Sequence, residues 1–263
     1  MAAFNEISPA HLMRLIGTPQ CPVIVDVCVN EDFNKDPYLI PSAFRHAHHA
    51  IDDLLLRLDG RDAVVVCQKV LKLSHGVAAH LRTQGIHAQV LSGGNLAWRD
   101  AQLPRVPHAV VSGQTWVTRH RPKIDRIACP WLIRRFVDPD ARFLFVPPTA
   151  VQGVADRFGA TPFDVADTKW SHHGDKCTFD AVIHAFGLGH PALDKLATLV
   201  RAADTDCHDL APQAAGLLAI SVRLSRMFRD DMAQLDAGML LYDALYRWAR
   251  DGQDEGHDWP GGK

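Results

Sequence analysis

"VVVCQKVLKLSHGVAAHL" (64–81) runs three valines into a single cysteine, Cys67, then through a loop carrying Lys69 and Lys72 to Ser74. An unbroken β-branched run bounded by turn residues reads as a strand buried on both faces. Leu73, Val77 and Leu81 recur four apart, which gives the following segment one face for burial. Ser74 is a candidate N-cap and Gly85 a candidate stop, so the helix is expected over Ser74–Gln84. Cys67 then stands at the carboxyl end of a parallel strand, the rim where α/β sheets hold their ligands. Loop amides and the positive end of a helix stabilise a thiolate there, and Lys69 and Lys72 add to that field and attract a small anion. The competing reading is a buried cysteine that only packs.

The same rhythm extends outward. A helix is expected at Pro9–Ile16, a strand at Pro22–Val27, a helix at Ala50–Leu58 and a strand at Ala63–Val66. A strand at Ala88–Leu91 ends at Ser92-Gly93-Gly94, and a short helix runs through Trp98. Apolar strands separated by helices predict a parallel sheet with helices on both faces. Pro104 to His108, followed by Ser112-Gly113, has linker composition. Beyond it helices dominate: Cys129–Phe136, Thr178–Phe186, Pro191–Ala203, Gln213–Met227 and Asp230–Arg250, with one strand at Arg142–Val146. Two domains are expected, over 1–106 and 115–250, with a linker at 107–114 and a tail at 251–263.

The 263 residues are 47% hydrophobic and 22% charged, which suits a globular chain rather than a disordered one. A formal net charge of -2 gives no electrostatic case for nucleic acid or an anionic membrane. No signal peptide is read at the start, and no apolar run reaches the ~18 residues of a membrane helix. The six cysteines are widely spread without a CxxC pair, which favours reduced thiols and a cytoplasmic setting. Nothing in the sequence sets the oligomeric state.

Residues ~7–103 resemble a single-domain rhodanese. The matching pieces are "VIVDV" (23–27), "LIPSA" (39–43), "VVVCQKVLKLS" (64–74), "VAAHLRTQG" (77–85) and "VLSGGNLAW" (90–98). The resemblance implies an α/β sulfurtransferase fold without a cofactor. Cys67 would take a sulfane sulfur from a small donor such as thiosulfate, become a persulfide, and pass the sulfur to a nucleophile. Family members often carry Arg after the Cys and Gly two residues later, where this loop has Gln68 and Val70. The loop also holds six residues between Cys67 and Ser74, as in phosphatase and arsenate-reductase relatives, but lacks the Arg those need at its end. Cys28 closes "VDVC" at another strand's carboxyl end. It is a candidate redox partner for Cys67, or a small residue filling a turn.

The second half carries three clusters of metal-ligand types. Asp125 lies four residues before Cys129; "WSHHGDKCTFD" (170–180) supplies His172, Cys177 and Asp180; "RAADTDCHD" (201–209) supplies Asp204. Imidazole, thiolate and carboxylate from separate segments suit zinc or iron. The expected set is His172, Asp180 and Asp204 with Cys129 or Cys177, while Asp125 caps or orients. Capping aspartates and surface histidines are the bland alternative.

"DRIACPWLIRRFVDPDARFLFV", "FDVADTKWSHHGDKCTFD" and "LATLVRAADT" resemble, in order, the C-terminal domain of ChrB-type chromate-resistance proteins. That resemblance implies a mainly helical α+β domain acting in chromate resistance, as a chromate-responsive regulator or accessory factor. The DNA-binding partner domain usual in that family is replaced here by the rhodanese-like module, so a repressor role is not implied. Three readings follow: a sulfurtransferase coupled to chromate or oxyanion stress; a non-catalytic metal or chromate sensor with a rhodanese platform; and a dithiol oxyanion reductase using Cys67 and Cys28.

Overall fold

A computed structural model describes residues 5–69, 72–111 and 115–253. The chain divides into two compact units. One holds Met1–Gly113 with Arg134–Asp140 and Phe186–Leu188, and the other holds the remainder.

The first unit runs β1 (Glu6–Ile7), α1 (Pro9–Leu15), β2 (Val23–Asp26), α2 (Asn30–Phe33), β3 (Tyr38–Leu39), β4 (Phe44–Arg45), α3 (Ile51–Leu58), β5 (Ala63–Val66), α4 (Lys72–Thr83), β6 (Ala88–Leu91), α5 (Gly94–Asp100) and β7 (Val106–Pro107). Five strands form a parallel sheet in the order β1-β6-β5-β2-β4. All four residues of β5 are buried, which is why a continuous apolar run takes the central place. Val25, Val65, Val77, Leu81 and Val90 pack into one core cluster with Cys67 at its edge.

Helix α4 starts at Lys72, so Ser74 is a buried residue of its first turn rather than the expected N-cap. Its hydroxyl turns instead to the Cys67 thiol. The expected linker is built into the fold as far as Val111. Val106–Pro107 pairs antiparallel with β3, and His108–Val110 forms a 3-10 turn. Its remainder, 112–114, lies outside the described residues, as does the expected tail beyond Gln253.

The second unit runs β8 (Thr115–Arg119), α6 (Asp125–Phe136), β9 (Arg142–Val146), α7 (Val151–Phe158), β10 (Thr161–Pro162), α8 (Thr178–Ala185), α9 (Pro191–Asp204), α10 (Ala214–Met227) and α11 (Asp231–Asp251). Its three strands form a small parallel sheet, β10-β8-β9. Trp116 on β8 packs edge-on against Phe163 and Trp170, while Val117 faces the opposite way onto Val151 and Ala155. Trp131 on α6 is fully buried against Phe179, Tyr242 and Tyr246, and its indole donates to Asp243 Oδ1 at 2.8 Å. Helix α9 packs on α8, α10 and α11.

Helix α6 begins at Asp125, one turn before the expected start at Cys129, and holds Pro130 within it. Proline inside a helix removes one hydrogen bond and crowds the preceding turn. Full burial of Ala128, Cys129, Trp131 and Leu132 offsets that loss. No helix among the described residues is long and apolar enough to cross a membrane.

Candidate functional sites

The carboxyl ends of β2 and β5 build the first site. The register pairs Asp26 with Val66, so Cys28 and Cys67 emerge from neighbouring strands onto one rim. Cys67 is 4% exposed, and its sulfur lies 3.0 Å from the Ser74 hydroxyl. The loop's far side is held by α5, whose first amides need acceptors. Asn95 donates its backbone N–H to the Cys67 carbonyl (3.0 Å) and Leu96 to the Gln68 carbonyl (3.2 Å). Gly94 adopts φ +61°, and a Cβ there would strike the Cys67 carbonyl, so glycine is required at this close approach. The buried Asp26 links the same loops, accepting from the Cys28 amide (2.7 Å) and from Asn95 Nδ2 (2.8 Å).

Burial, with the charges of Asp26 and Asp32, pushes the Cys28 thiol up to about 12, so it stays protonated near neutrality. Its S–H points at Gln68 Oε1, 3.8 Å away. Lys69 and Lys72 are both exposed. The full amide cradle expected around the sulfur includes Val70 and Leu71, which lie outside the described residues. None of the six cysteines is in a disulfide.

Beside Cys28 opens a hollow of about 330 Å³ lined by Asn30, Arg45, His46, His48 and His49 among others. Arg45 donates to the Cys28 carbonyl (2.6 Å) and to Asn30 Oδ1 (2.9 Å), and stacks on Phe33. Sequence reading missed this group; the run "RHAHH" (45–49) was its visible sign.

The second site gathers at the N-terminus of α8. Asp125, on the first turn of α6, accepts from the amides of Thr178 (2.6 Å) and Phe179 (3.4 Å) and so caps a helix other than its own. Asp164 accepts from the Thr178 hydroxyl on one oxygen (2.9 Å) and faces Arg119 (2.9 Å) and Arg126 (3.2 Å) on the other. His172 Nε2 lies 3.2 Å from Asp204, 3.5 Å from Asp125 and 3.6 Å from Asp164. Acceptor oxygens collected at a helix's positive end are what the macrodipole favours.

The electrostatics follow from burial. Asp125 is 1% exposed, and desolvation raises its pKa although His172 opposes the shift. Desolvation first, then the charges of Asp125 and Asp164, push Asp204 up to about 7. His172 rises to about 9, chiefly through Asp125. Asp204 is closer to the imidazole, but Asp125 acts from a less polarisable, fully buried position.

Of the five residues expected to ligate a metal, His172 and Asp204 come together here. Asp180 instead accepts from Arg201 (2.7 Å) and from the Cys177 amide (3.1 Å), completing the cap of α8. Cys129 and Cys177 are wholly buried, and desolvation raises both thiols far above their ordinary range. Among the described residues, Asp125, Asp164 and His172 each offer a ligand atom, and these atoms all lie within 4.8 Å of one another. Asp164 was missed because it sits in irregular chain at φ +51°, with no periodicity to mark it.

Residues 116–249 match the family model described as ChrB, C-terminal domain. Protein ChrB of Cupriavidus metallidurans is 32% identical over 158 residues, which cover 60% of this chain and 47% of that protein. The chain thus spans about half the length of this curated relative. Among solved structures, a thiosulfate sulfurtransferase from Pseudomonas aeruginosa is 25% identical over 38% of this chain and 19% of its own, with a TM-score of 0.33. A rhodanese-like domain protein from Staphylococcus aureus is 26% identical over 36% of this chain and 91% of its own, with a TM-score of 0.32. The family match takes in more than half of the chain and every member of the Asp–His cluster, and through it the chain belongs to the ChrB C-terminal domain family.

Proposed function

We propose that the first unit is a rhodanese-type sulfurtransferase that forms a persulfide on Cys67, coupled to the ChrB-type unit in cytoplasmic resistance to chromate or related oxyanions. The observation that carries this reading is the Cys67 thiol at the end of the central strand, 3.0 Å from the Ser74 hydroxyl. The Cys67 thiolate attacks the outer sulfur of a donor such as thiosulfate. The donor's S–S bond breaks, its electron pair leaves with sulfite, and Cys67 keeps the sulfur as a persulfide. An acceptor such as cyanide or a thiol then takes that outer sulfur and returns the thiolate. Ser74 can donate a hydrogen bond to the Cys67 thiolate, while Asp26 and Asn95 hold the loops in register. Lys69 and Lys72 attract the anion from solvent. The test is thiosulfate:cyanide turnover, with intact mass reporting one added sulfur on Cys67. Turnover that persists in Cys67→Ser would end the assignment, because serine cannot hold a persulfide.

A second reading concerns the ChrB-type unit and rests on the convergence of Asp125, Asp164 and His172. One imidazole and two carboxylates suit zinc or iron, with Asp204 beside the histidine to orient it. The metal would supply Lewis-acid or sensing chemistry, and the unit would act as a metal- or chromate-responsive accessory. Arg119 and Arg126 already pair with Asp164, and His172 keeps a proton near neutrality, so a cation must displace that proton to enter. Metal analysis of the purified full chain tests this reading. Near-stoichiometric zinc or iron, lost in His172→Gln and Asp164→Asn, supports it, and a chain that takes up neither metal refutes it.

A further inference from the structure

We propose that the hollow beside Cys28, walled by Arg45, His46, His48 and His49, binds a small tetrahedral dianion. On the sulfurtransferase reading, on which the substrate assignment rests, that dianion is the sulfur donor thiosulfate.

Three observations point to it. Arg45 is a fixed cation: Asn30 and the Cys28 carbonyl hold its terminal nitrogens, and its plane lies 4.0 Å from the Phe33 ring centroid. Its Nε–H is buried without a hydrogen-bond partner, and among the described residues no carboxylate forms an ion pair with Arg45. Asp26, the carboxylate that feels its charge, is already engaged by the Cys28 amide and Asn95.

The hollow's composition is the second observation. Its lining includes three imidazoles and one guanidinium, and no acidic residue. His48 and His49 pack edge to face, with ring centroids 5.2 Å apart. His46 Nδ1 lies 3.0 Å from the Ala47 carbonyl, so that nitrogen carries a proton and donates it. The nearby Asp32 is paired with Lys35 at 2.9 Å. Position is the third. The Cys28 thiol lines the hollow and reaches Gln68, the residue next to Cys67, so an anion held here waits on the nucleophile's own rim. A fixed guanidinium among imidazole rings matches an oxyanion better than Lys69 and Lys72, which are solvated point charges.

Calorimetric titration of the full chain with thiosulfate, and with inert sulfate, tests the proposal. Both anions should bind. Arg45→Met should weaken binding about tenfold or more, the loss expected for one charge-assisted hydrogen bond. Because Arg45 also packs on Phe33, its removal could disturb the fold. The double variant His48→Gln/His49→Gln, on a partly exposed turn, should weaken binding independently. Loss of binding in Lys69→Ala/Lys72→Ala, with wild-type affinity in both other variants, would overturn the proposal, and so would no binding to the wild type. The two readings separate cleanly. Thiosulfate turnover with an unchanged KM in Arg45→Met removes the hollow and leaves the sulfurtransferase. Arg45-dependent binding with no added sulfur on Cys67 keeps the anion site and removes the sulfurtransferase.

Discussion

The Cys67 sulfur and the Ser74 oxygen lie 3.0 Å apart, one at the end of β5 and the other in the first turn of α4, and both are buried. The contact couples the proposed nucleophile to the helix that follows it. Removing a hydrogen bond to an ionised group costs about 1.5–3 kcal/mol. Ser74→Ala should therefore lower turnover about tenfold or more, and slow alkylation of Cys67 by iodoacetamide at fixed pH. Ser74→Thr, which keeps the hydroxyl, should recover part of both. Unchanged alkylation in Ser74→Ala would show that the hydroxyl does nothing for the sulfur.

Cys28 shares the rim but differs in its surroundings. Desolvation leads, with Asp26 and Asp32 adding to it, and the thiol is pushed up to about 12. A protonated thiol is a poor nucleophile. Cys28→Ser should keep thiosulfate:cyanide turnover within about twofold of wild type, because only the thiolate of Cys67 is asked to react. Peptide mapping after brief iodoacetamide treatment should find Cys67 modified and Cys28 intact. A Cys28–Cys67 disulfide under mild oxidation, together with loss of turnover in Cys28→Ser, would favour the dithiol reductase instead.

The first unit was largely legible because its central strands are short, mostly apolar runs bounded by turn residues. Ala63–Val66 and Ala88–Leu91 stand where the pattern put them. The two-residue strands β1, β3, β4 and β7 were not read, since two residues carry no period. Ser74 looked like a cap because Ser is a common cap. Its real partner, the Cys67 thiol, is fixed only by the tertiary approach of loop to helix. In the second unit the sequence marked Asp125 as a capping or orienting residue, but not the helix that it caps. Asp125 and Thr178 are 53 residues apart in sequence, and no local signal ties one to the other.

The Asp–His cluster should make the second unit sensitive to pH in metal-free protein. His172 is held at about 9 against an ordinary 6.5, so the folded state keeps a proton that the unfolded chain loses, and stability falls as pH rises across that window. Asp204 is held at about 7 against 3.8, so its contribution also falls with rising pH, over a lower window. The two share a network and titrate as a pair. In chelator-treated protein the midpoint of the second unit's own thermal transition should drop steadily from about pH 5 to about pH 9. His172→Gln should flatten the upper part of that slope and Asp204→Asn the lower part. Added zinc should reverse the sign, since a metal ligand must be deprotonated. A midpoint that rises with pH in chelator would contradict the placement of His172 among the carboxylates.

Asp125 allows the sharpest separation of capping from charge. Its two oxygens accept from the Thr178 and Phe179 amides, and the residue is almost wholly buried. Asp125→Ala leaves both amides without an acceptor where water has little access, at about 1–3 kcal/mol for each. Asp125→Asn keeps one acceptor oxygen and gives up the charge facing the helix N-terminus, which is worth about 0.3–2 kcal/mol. Local stability at the start of α8 should therefore fall in the order wild type, Asn, Ala. A two-unit chain does not unfold as one step, so a global midpoint would blur this order. Hydrogen exchange of the Thr178 and Phe179 amides reads it directly. Exchange should rise modestly in Asp125→Asn and strongly in Asp125→Ala, while the α4 amides of the first unit stay unchanged. If those two amides remain as protected in Asp125→Ala as in wild type, Asp125 is not the cap of α8, and its burial beside His172 needs another cause.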